Sequence, residues 1–195
     1  MKYHDFYCEF ITYSWGGFYV KLIKKFLFTH IDWGSIATIS CRDPIMGLPF
    51  SNVMSFSDGI SPKTATGIPY MYFTDMEMSV HDINCKNEMS LSMTLAQGDY
   101  CNRKGLDPMD PPCSRLILTG TAEKIPKNTT EYFFAKTALF TRHPNMIDYP
   151  DGHKFYFTKM NVKHVCLLAW FGGATHIDVD DYFNATLSNN LYPPY

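Results

Sequence analysis

The sequence predicts a mainly β protein with peripheral helices, in which six strands form a barrel. Three observations lead to this fold class. Apolar and small residues alternate strictly over residues 89–96, the period of a strand with one buried face. The apolar segments 116–125 and 155–170 are long enough for two further strands. Three shorter strands precede them, and the chain contains no internal repeat.

The elements of the first third are short. Residues 20–30 carry apolar side chains at helical spacing with lysines between them, which predicts a short helix covering a sheet. The segment 35–40, rich in β-branched and small residues, and the segment 53–57 form a strand pair joined by a turn that contains proline and glycine. Residues 57–67 have the composition of an exposed loop, and 70–73 is the third strand.

The last two strands carry irregularities. Gly120 interrupts the fifth strand, 116–125. In the sixth, 155–170, the parity of the apolar positions changes between Phe157 and Met160, which predicts a β-bulge there.

Two helices are expected outside the sheet. Residues 130–140 form the first, with Thr129 or Thr130 as its N-cap and Pro144 ending it. Residues 178–187 form the second, because acidic residues at its start favour the positive end of the helix dipole.

Composition and charge exclude two classes of function. The 195 residues suffice for one domain that buries roughly 70% of its unfolded surface. With 17 Lys and Arg against 19 Asp and Glu, the net charge is −2, which gives no attraction for nucleic acid or anionic lipid. No apolar run approaches the roughly 18 residues of a membrane helix. We therefore expect a soluble chain with no nucleic-acid partner and no membrane span.

The six cysteines include no C-x-x-C pair, so neither a zinc site nor a redox dithiol is indicated. Cys101 and Cys113 bracket a loop rich in glycine and proline that can bring its ends together, which predicts a disulfide between them. The others are expected to be small buried apolar residues. These are Cys8, Cys41, Cys85 and Cys166.

Two sequons, Asn128-Thr129-Thr130 and Asn184-Ala185-Thr186, predict N-glycosylation and therefore the secretory route. The amino terminus conflicts with this prediction. Residues 10–20 are uncharged and aromatic, but acidic residues precede them and no small-residue cleavage site follows. Two explanations stay open, a missing first exon or a cytosolic product, and the first is favoured.

Other chemical motifs have simpler structural interpretations. Ser57-Asp58-Gly59 could form an oxyanion turn, but its composition is that of an ordinary β-turn. Glycines in the segment WFGG, residues 170–173, suit either the lip of a ligand site or a strand end leaving a barrel. Four histidines fit no metal-binding spacing and are expected to be structural. They are His143, His153, His164 and His176.

Five segments together resemble the CREG family of secreted glycoproteins. They are THIDWGSIATIS (29–40), GIPYMYFT (67–74), LSMTLAQ (91–97), TRHP (141–144) and WFGG (170–173). The resemblance runs from about residue 26 to about residue 186 and includes the loop between Cys101 and Cys113. We therefore divide the chain into an uncertain extension over 1–25, a split-barrel domain over 26–188 and a tail over 189–195.

The resemblance implies a six-stranded split β-barrel of the FMN-binding, pyridoxamine phosphate oxidase-like type, assembled as a homodimer. It also implies a non-catalytic protein, secreted or in the endolysosomal lumen, that acts through protein or receptor binding in growth control and lysosome function. Asn128 and Asn184 match family glycosylation positions, where a glycan offers a handle for a sorting receptor. A third family sequon, at Asn161, is absent because Lys163 replaces the hydroxyl residue.

The main alternative is an FMN- or haem-linked oxidoreductase on the same fold. A flavin phosphate needs cations or aligned N–H donors, but the strands 70–73 and 89–96 contain no Arg or Lys. Arg42, Lys63 or Arg115 could reach a phosphate from loops, and Arg42 or Arg115 is the candidate holder. Weak hydroxyl donors are also present, namely Ser90, Ser92 and Thr94. We expect no cofactor and no catalytic or metal-binding residues.

A third hypothesis is a nuclear repressor acting on DNA-binding proteins, the activity for which the CREG family was named. The charge balance and the two sequons argue against direct contact with DNA.

Overall fold

The computed structural model describes residues 31–61, 64–171 and 173–185. The predicted helix over 20–30, the extension 1–25 and the tail 189–195 lie outside these ranges. Within them no helix combines the length and apolarity needed to cross a bilayer. The strands are β1 Trp33–Ile39, β2 Pro49–Ser55, β3 Tyr70–Phe73, β4 Glu88–Thr94, β5 Arg115–Lys124, β6 Tyr156–Leu168 and β7 Thr175–Ile177. The α-helices are α1 Met78–Cys85, α2 Tyr100–Arg103, α3 Thr130–Arg142 and α4 Val179–Asn184.

All seven strands belong to one antiparallel sheet in the order β2-β1-β4-β5-β6-β3, with β7 paired to β6. The sheet curls until its two ends meet. Just beyond β2, the Ser57 N–H donates to the Tyr70 carbonyl at 3.0 Å, and the Tyr70 N–H donates to the Ser57 carbonyl at 2.8 Å. Because Tyr70 begins β3, these two hydrogen bonds join the edge strands and close the barrel. All six predicted strands are present.

The predicted alternation along β4 corresponds to the core. Ile36 pairs with Leu91, Leu91 with Leu118, and Leu118 with Val165, so one row of apolar side chains crosses four strands. Each of the four is at most 1% exposed. Burying a side chain of this size contributes about 1.5–3 kcal/mol, so this row is a main source of stability for the barrel.

The bulge in β6 is not where parity predicted it. The β5–β6 ladder is continuous from Lys124 to Gly120, and the register shifts where Gly120 faces Val162 and Thr119 faces His164. Lys163 is therefore the extra residue. The parity changes earlier for another reason: Phe157 packs outside the barrel in a second apolar cluster, whereas Met160 points into the main core.

Helix α3 covers this second cluster. The Tyr132 N–H donates to the Thr129 hydroxyl at 3.1 Å, which confirms Thr129 as the N-cap, and the helix ends at Arg142 before Pro144. The rings of Tyr70 and Phe134 meet edge to face, with 5.6 Å between centroids. Aromatic pairs in this geometry hold the helix against β3.

Several short elements differ from the predictions. Strand β2 begins at Pro49, four residues earlier than predicted, and a proline is tolerated there because it is the first residue of an edge strand. The segment 57–67 is exposed only in part, since Ser57 and Asp58 are buried at its base. The helices α1 and α2 and the strand β7 were not predicted. Helix α4 is shorter than the predicted 178–187, with Asp178 as its N-cap.

Candidate functional site

A buried carboxylate connects α1 to the end of β1. Asp82 is 0% exposed. Its Oδ2 accepts from the Thr38 hydroxyl at 3.1 Å, and its Oδ1 accepts from the Ser40 hydroxyl at 3.3 Å and from the Cys41 N–H at 3.1 Å. We name these residues, with Arg42, the Asp82 cluster. Sequence reasoning missed Asp82, because a single acid in a short helix has no local signature.

The Arg42 guanidinium forms an ion pair with the Asp82 carboxylate. Its Nε donates to Asp82 Oδ1 at 3.1 Å and its Nη2 to Asp82 Oδ2 at 3.4 Å. The guanidinium also lies over the Phe50 ring, 5.2 Å from its centroid. Burial by itself would raise the pKa of Asp82, but the Arg42 guanidinium and the Cys41 and Thr38 donors outweigh it and lower that pKa. To hold a cofactor phosphate, Arg42 would have to leave a buried, ionised carboxylate.

Arg115, the other candidate for a phosphate, begins β5. Its Nη2 donates to the Met109 carbonyl at 3.0 Å. Its Nε is buried and has no hydrogen-bond partner within the described residues. The pairing of β1 with β4 places Arg42 beyond the Glu88 end of β4, whereas Arg115 pairs with Thr94 at the opposite end. Since β4 is about 20 Å long, the two arginines cannot hold one phosphate together.

The outward hydroxyls of β4 are largely occupied. Ser90 shares a hydrogen bond of 2.9 Å with the Thr119 hydroxyl. The Thr94 hydroxyl accepts from the Ala96 N–H at 3.2 Å, as the cap of a 3₁₀ turn. Ser92 is half-buried between them. Lys63 lies outside the described residues. Among the candidate cations, Arg115 is therefore the one with an unused donor near the outward face of β4. A single donor of this kind is a weak match to the needs of a flavin phosphate.

The first sequon lies in the turn before α3. Asn128 is exposed and has a left-handed backbone with φ of 66°, a conformation that asparagine tolerates better than most residues. Thr130, the hydroxyl residue of the sequon, is exposed at the first position of the helix. The two hydroxyls have separate roles, because Thr129 caps the helix whereas Thr130 is the sequon residue.

The second sequon lies at the end of α4. Asn184 is the last residue of the helix and is exposed. Thr186 lies outside the described residues. At the start of the helix, the Asp178 carboxylate accepts from the Asp180 and Asp181 N–H groups at 2.8 and 3.3 Å. Asp178 is therefore the N-cap, and the acidic residues stabilise the start of the helix.

The structure joins Cys101 and Cys113 by a disulfide, with 5.6 Å between their Cα atoms. The bridge ties α2 to the start of β5, and both cysteines are buried. The expectation that the other cysteines are buried is wrong for the three described ones. Cys85 is exposed, and Cys41 and Cys166 are half-buried, because they lie at an element end or on the outward side of β6. Cys8 lies outside the described residues.

Ser57-Asp58-Gly59 forms a buried turn. The Ser57 hydroxyl donates to the Gly59 carbonyl at 3.1 Å, and Asp58 Oδ2 accepts from the Gly67 N–H at 3.3 Å. The Arg142 guanidinium lies 3.9 Å from the Asp58 carboxylate. These contacts anchor both ends of the 57–67 loop, so this serine has a structural role.

The four histidines singled out from the sequence do not form a metal site. His143 Nε2 lies 3.0 Å from the Phe56 carbonyl, a packed position at the end of α3. His153, His164 and His176 are exposed. Within the described ranges no group of three or more potential ligands could hold a metal ion.

Trp170, Phe171 and Gly173 of the segment WFGG lie between β6 and β7. Trp170 and Phe171 are 57% and 65% exposed, and Gly173 has a φ of 103°. Because the chain reverses there and pairs back along β6, the strand-end interpretation accounts for the glycine. Gly172 lies outside the described residues.

The closed sheet is shared with solved structures. A heme binding protein from Mycobacterium smegmatis superposes with a TM-score of 0.63 at 16% identity, covering 84% of this chain and 59% of that one. A protein from Clostridium acetobutylicum related to general stress protein 26, of the pyridoxinephosphate oxidase family, gives 0.55 at 14% identity, covering 85% and 98%. At these identities the likeness concerns the fold alone, which is the predicted split β-barrel of pyridoxamine phosphate oxidase type.

Sequence similarity defines the family more narrowly. The family described as CREG, beta-barrel matches residues 23–184. Protein CREG1 of Gallus gallus is 39% identical over 163 residues, which cover 83% of this chain and 84% of that protein. The chain belongs to the CREG family, which confirms the resemblance found in its sequence.

Proposed function

We propose that this protein is a non-catalytic glycoprotein of the secretory or endolysosomal lumen, acting through protein or receptor contacts in growth control and lysosome function. In this proposal the split barrel is a degenerate flavoprotein scaffold. The observation that carries it is the pairing of Arg42 with Asp82, since a cation neutralised by a buried carboxylate is not available for a flavin phosphate.

In this proposal, N-linked glycans indicate passage through the secretory pathway and provide the surface that a sorting receptor recognises. Asn128 and Asn184 are both exposed; Asn128 lies in the turn before α3, and Asn184 is the last residue of α4. A glycosylated asparagine must reach the lumenal transferase, which both positions allow. The disulfide between Cys101 and Cys113 also suits an oxidising compartment. A lectin-type sorting receptor is the partner class that reads such glycans.

Glycosylation at Asn128 can be tested without disturbing the helix cap. The chain is expressed in a eukaryotic secretory host behind a supplied signal sequence, and its intact mass is measured before and after N-glycosidase treatment. Thr130→Ala abolishes the first sequon and should lose one glycan. Thr129→Ala is the matched control, since it removes the cap but keeps Asn128 and Thr130, the two residues that define the sequon. An unchanged mass after N-glycosidase would contradict the glycoprotein assignment.

The homodimer is proposed to use the outer face of the barrel near β1 and β2. Trp33 and Val53 are 39% and 58% exposed, and they line a shallow groove with His143. An exposed apolar patch of this kind suits a contact between subunits. Val53→Asp should shift the protein to a monomer in sedimentation velocity, whereas Met76→Asp, at a residue 69% exposed and outside this groove, should not. A monomeric unmodified protein would contradict the proposal.

The second candidate is an FMN- or haem-linked oxidoreductase. The buried Arg115 Nε, without a partner in the described part of the chain, favours it, as does the fold shared with a heme binding protein. The visible absorption spectrum of the purified protein separates the candidates. Flavin or haem bands at stoichiometric intensity that disappear in Arg115→Met would establish the oxidoreductase. Their absence after incubation with FMN and with haemin would support the non-catalytic glycoprotein.

A further inference from the structure

Cys41 and Cys85 lie beside each other at the edge of the Asp82 cluster. Cys41 follows the end of β1, and Cys85 is the last residue of α1. The Asp82 carboxylate holds the Cys41 backbone, whose N–H donates to Oδ1 at 3.1 Å. Since Asp82 precedes Cys85 by three residues, both side chains project from one face of α1. The hydrogen bond to Asp82 therefore places Cys41 against the helix face that carries Cys85.

The pKa of Cys41 responds to the Cys85 thiol. A hydrogen bond with the Cys85 thiol raises the pKa of Cys41, and burial and the Asp82 carboxylate raise it further, while Lys86 lowers it. A pair of thiols close enough for one to change the pKa of the other lies near the distance from which a disulfide can close by side-chain rotation. This shift supports the proximity that the hydrogen bond between Cys41 and Asp82 already indicates.

The pair is accessible to an oxidant, and the other described cysteines lie elsewhere in the fold. Cys85 is exposed and Cys41 is half-buried. Cys101 and Cys113 are already bridged. Cys166 lies within β6, paired with Ile117 and His176 in neighbouring strands. Among the described cysteines, Cys41 and Cys85 are therefore the two free thiols that lie near each other.

We propose that Cys41 and Cys85 form a second disulfide by exchange with a disulfide oxidant, of which glutathione disulfide is the simplest. The Cys85 thiolate attacks one sulfur of the oxidant, giving a mixed disulfide and releasing one thiolate. The Cys41 thiolate then attacks Sγ of Cys85 and displaces the second thiolate. The protein loses two protons and two electrons, and the oxidant is reduced to two thiols.

The bond would fasten α1 to the end of β1. Helix α1 has only eight residues, and its contacts with the sheet include the polar side chains of the Asp82 cluster. A covalent link at its last residue would keep α1 from opening and hold Arg42 against Asp82. The closed loop would run from Cys41 to Cys85, and cross-links across loops of this size restrict the unfolded chain strongly.

The test uses the full chain secreted from a eukaryotic host and equilibrated with glutathione disulfide. Free thiols are alkylated under denaturing conditions, and the protein is digested without reduction for peptide mass mapping. The Cys101–Cys113 peptide verifies that oxidation occurred. A peptide joining Cys41 to Cys85 is expected in the unmodified protein and in Cys166→Ser, the matched control. It should be absent from Cys41→Ser and from Cys85→Ser, each with one additional alkylated thiol.

The oxidised protein should also melt roughly 10 °C above the Cys41→Ser/Cys85→Ser double variant, measured by calorimetry under the same conditions. Two outcomes overturn the proposal. One is full alkylation of Cys41 and Cys85 in a sample whose Cys101–Cys113 bridge is oxidised. The other is a cross-link of either residue to Cys8 or Cys166 in place of the expected pair.

Discussion

Arg42 and Asp82 form a two-point ion pair in which the carboxylate is fully buried and the guanidinium side chain is 23% exposed. The pair joins residues 40 positions apart, one after β1 and one inside α1. It has two consequences, because it fixes α1 on the barrel and also neutralises a cation that the flavoprotein alternative requires. Its removal therefore tests the structural role directly.

Asp82→Asn should destabilise the protein by about 3 kcal/mol, because it leaves the Arg42 charge without its partner at a partly buried site. The variant is measured by urea denaturation at pH 7. Asp99→Asn is the matched control: Asp99 pairs with Arg103, but both side chains are about 70% exposed, so its loss should change stability by less than about 0.5 kcal/mol. Equal stability of Asp82→Asn and the unmodified protein would contradict this role.

The same pair predicts a pH dependence. The pKa of Asp82 is lower in the folded protein than its ordinary value of 3.8. A carboxyl group of this kind contributes stability that is fully present above its unfolded pKa and is lost as the pH falls through its folded pKa. The stability difference between the unmodified protein and Asp82→Asn should therefore be constant from pH 7 to about pH 5 and shrink below about pH 4. A gap that widens on acidification would contradict it.

Tyr182 anchors α4 to the loop before β3. Its side chain is fully buried, and its hydroxyl donates to the Gly67 carbonyl at 2.7 Å. Tyr182→Phe should cost about 1–2 kcal/mol, because it leaves the carbonyl of Gly67 without this donor while keeping the ring. Both this variant and its control, Tyr149→Phe, are measured by thermal unfolding. Tyr149 is 42% exposed, so its variant should be neutral. Neutral behaviour of Tyr182→Phe would indicate that water replaces the donor.

The sequence predicted what depends on local patterns and missed what depends on distant partners. The alternation of β4 indicated the correct face because every second residue meets the same core. The bulge was misplaced because Phe157 and Met160 serve two cores on opposite sides of one strand. Helix α1 was missed because its buried residues include Ser79 and Asp82, whose partners are far away in sequence. The Asp82 cluster could not be predicted for the same reason.

Gly120 lies in β5 where the bulge of β6 packs closely against it. A Cβ at this position would approach the Asn161 carbonyl carbon to 2.9 Å and its oxygen more closely still. The neighbour is backbone, held in the ladder on both sides, so it cannot rotate away as a side chain would. Gly120→Ala should therefore destabilise the protein by about 2–3 kcal/mol in urea denaturation. Gly98→Ala is the control, because a Cβ there meets nothing within 4 Å, and it should be nearly neutral. If both variants unfold at the same urea concentration, the β5–β6 contact at Gly120 is looser than the structure indicates.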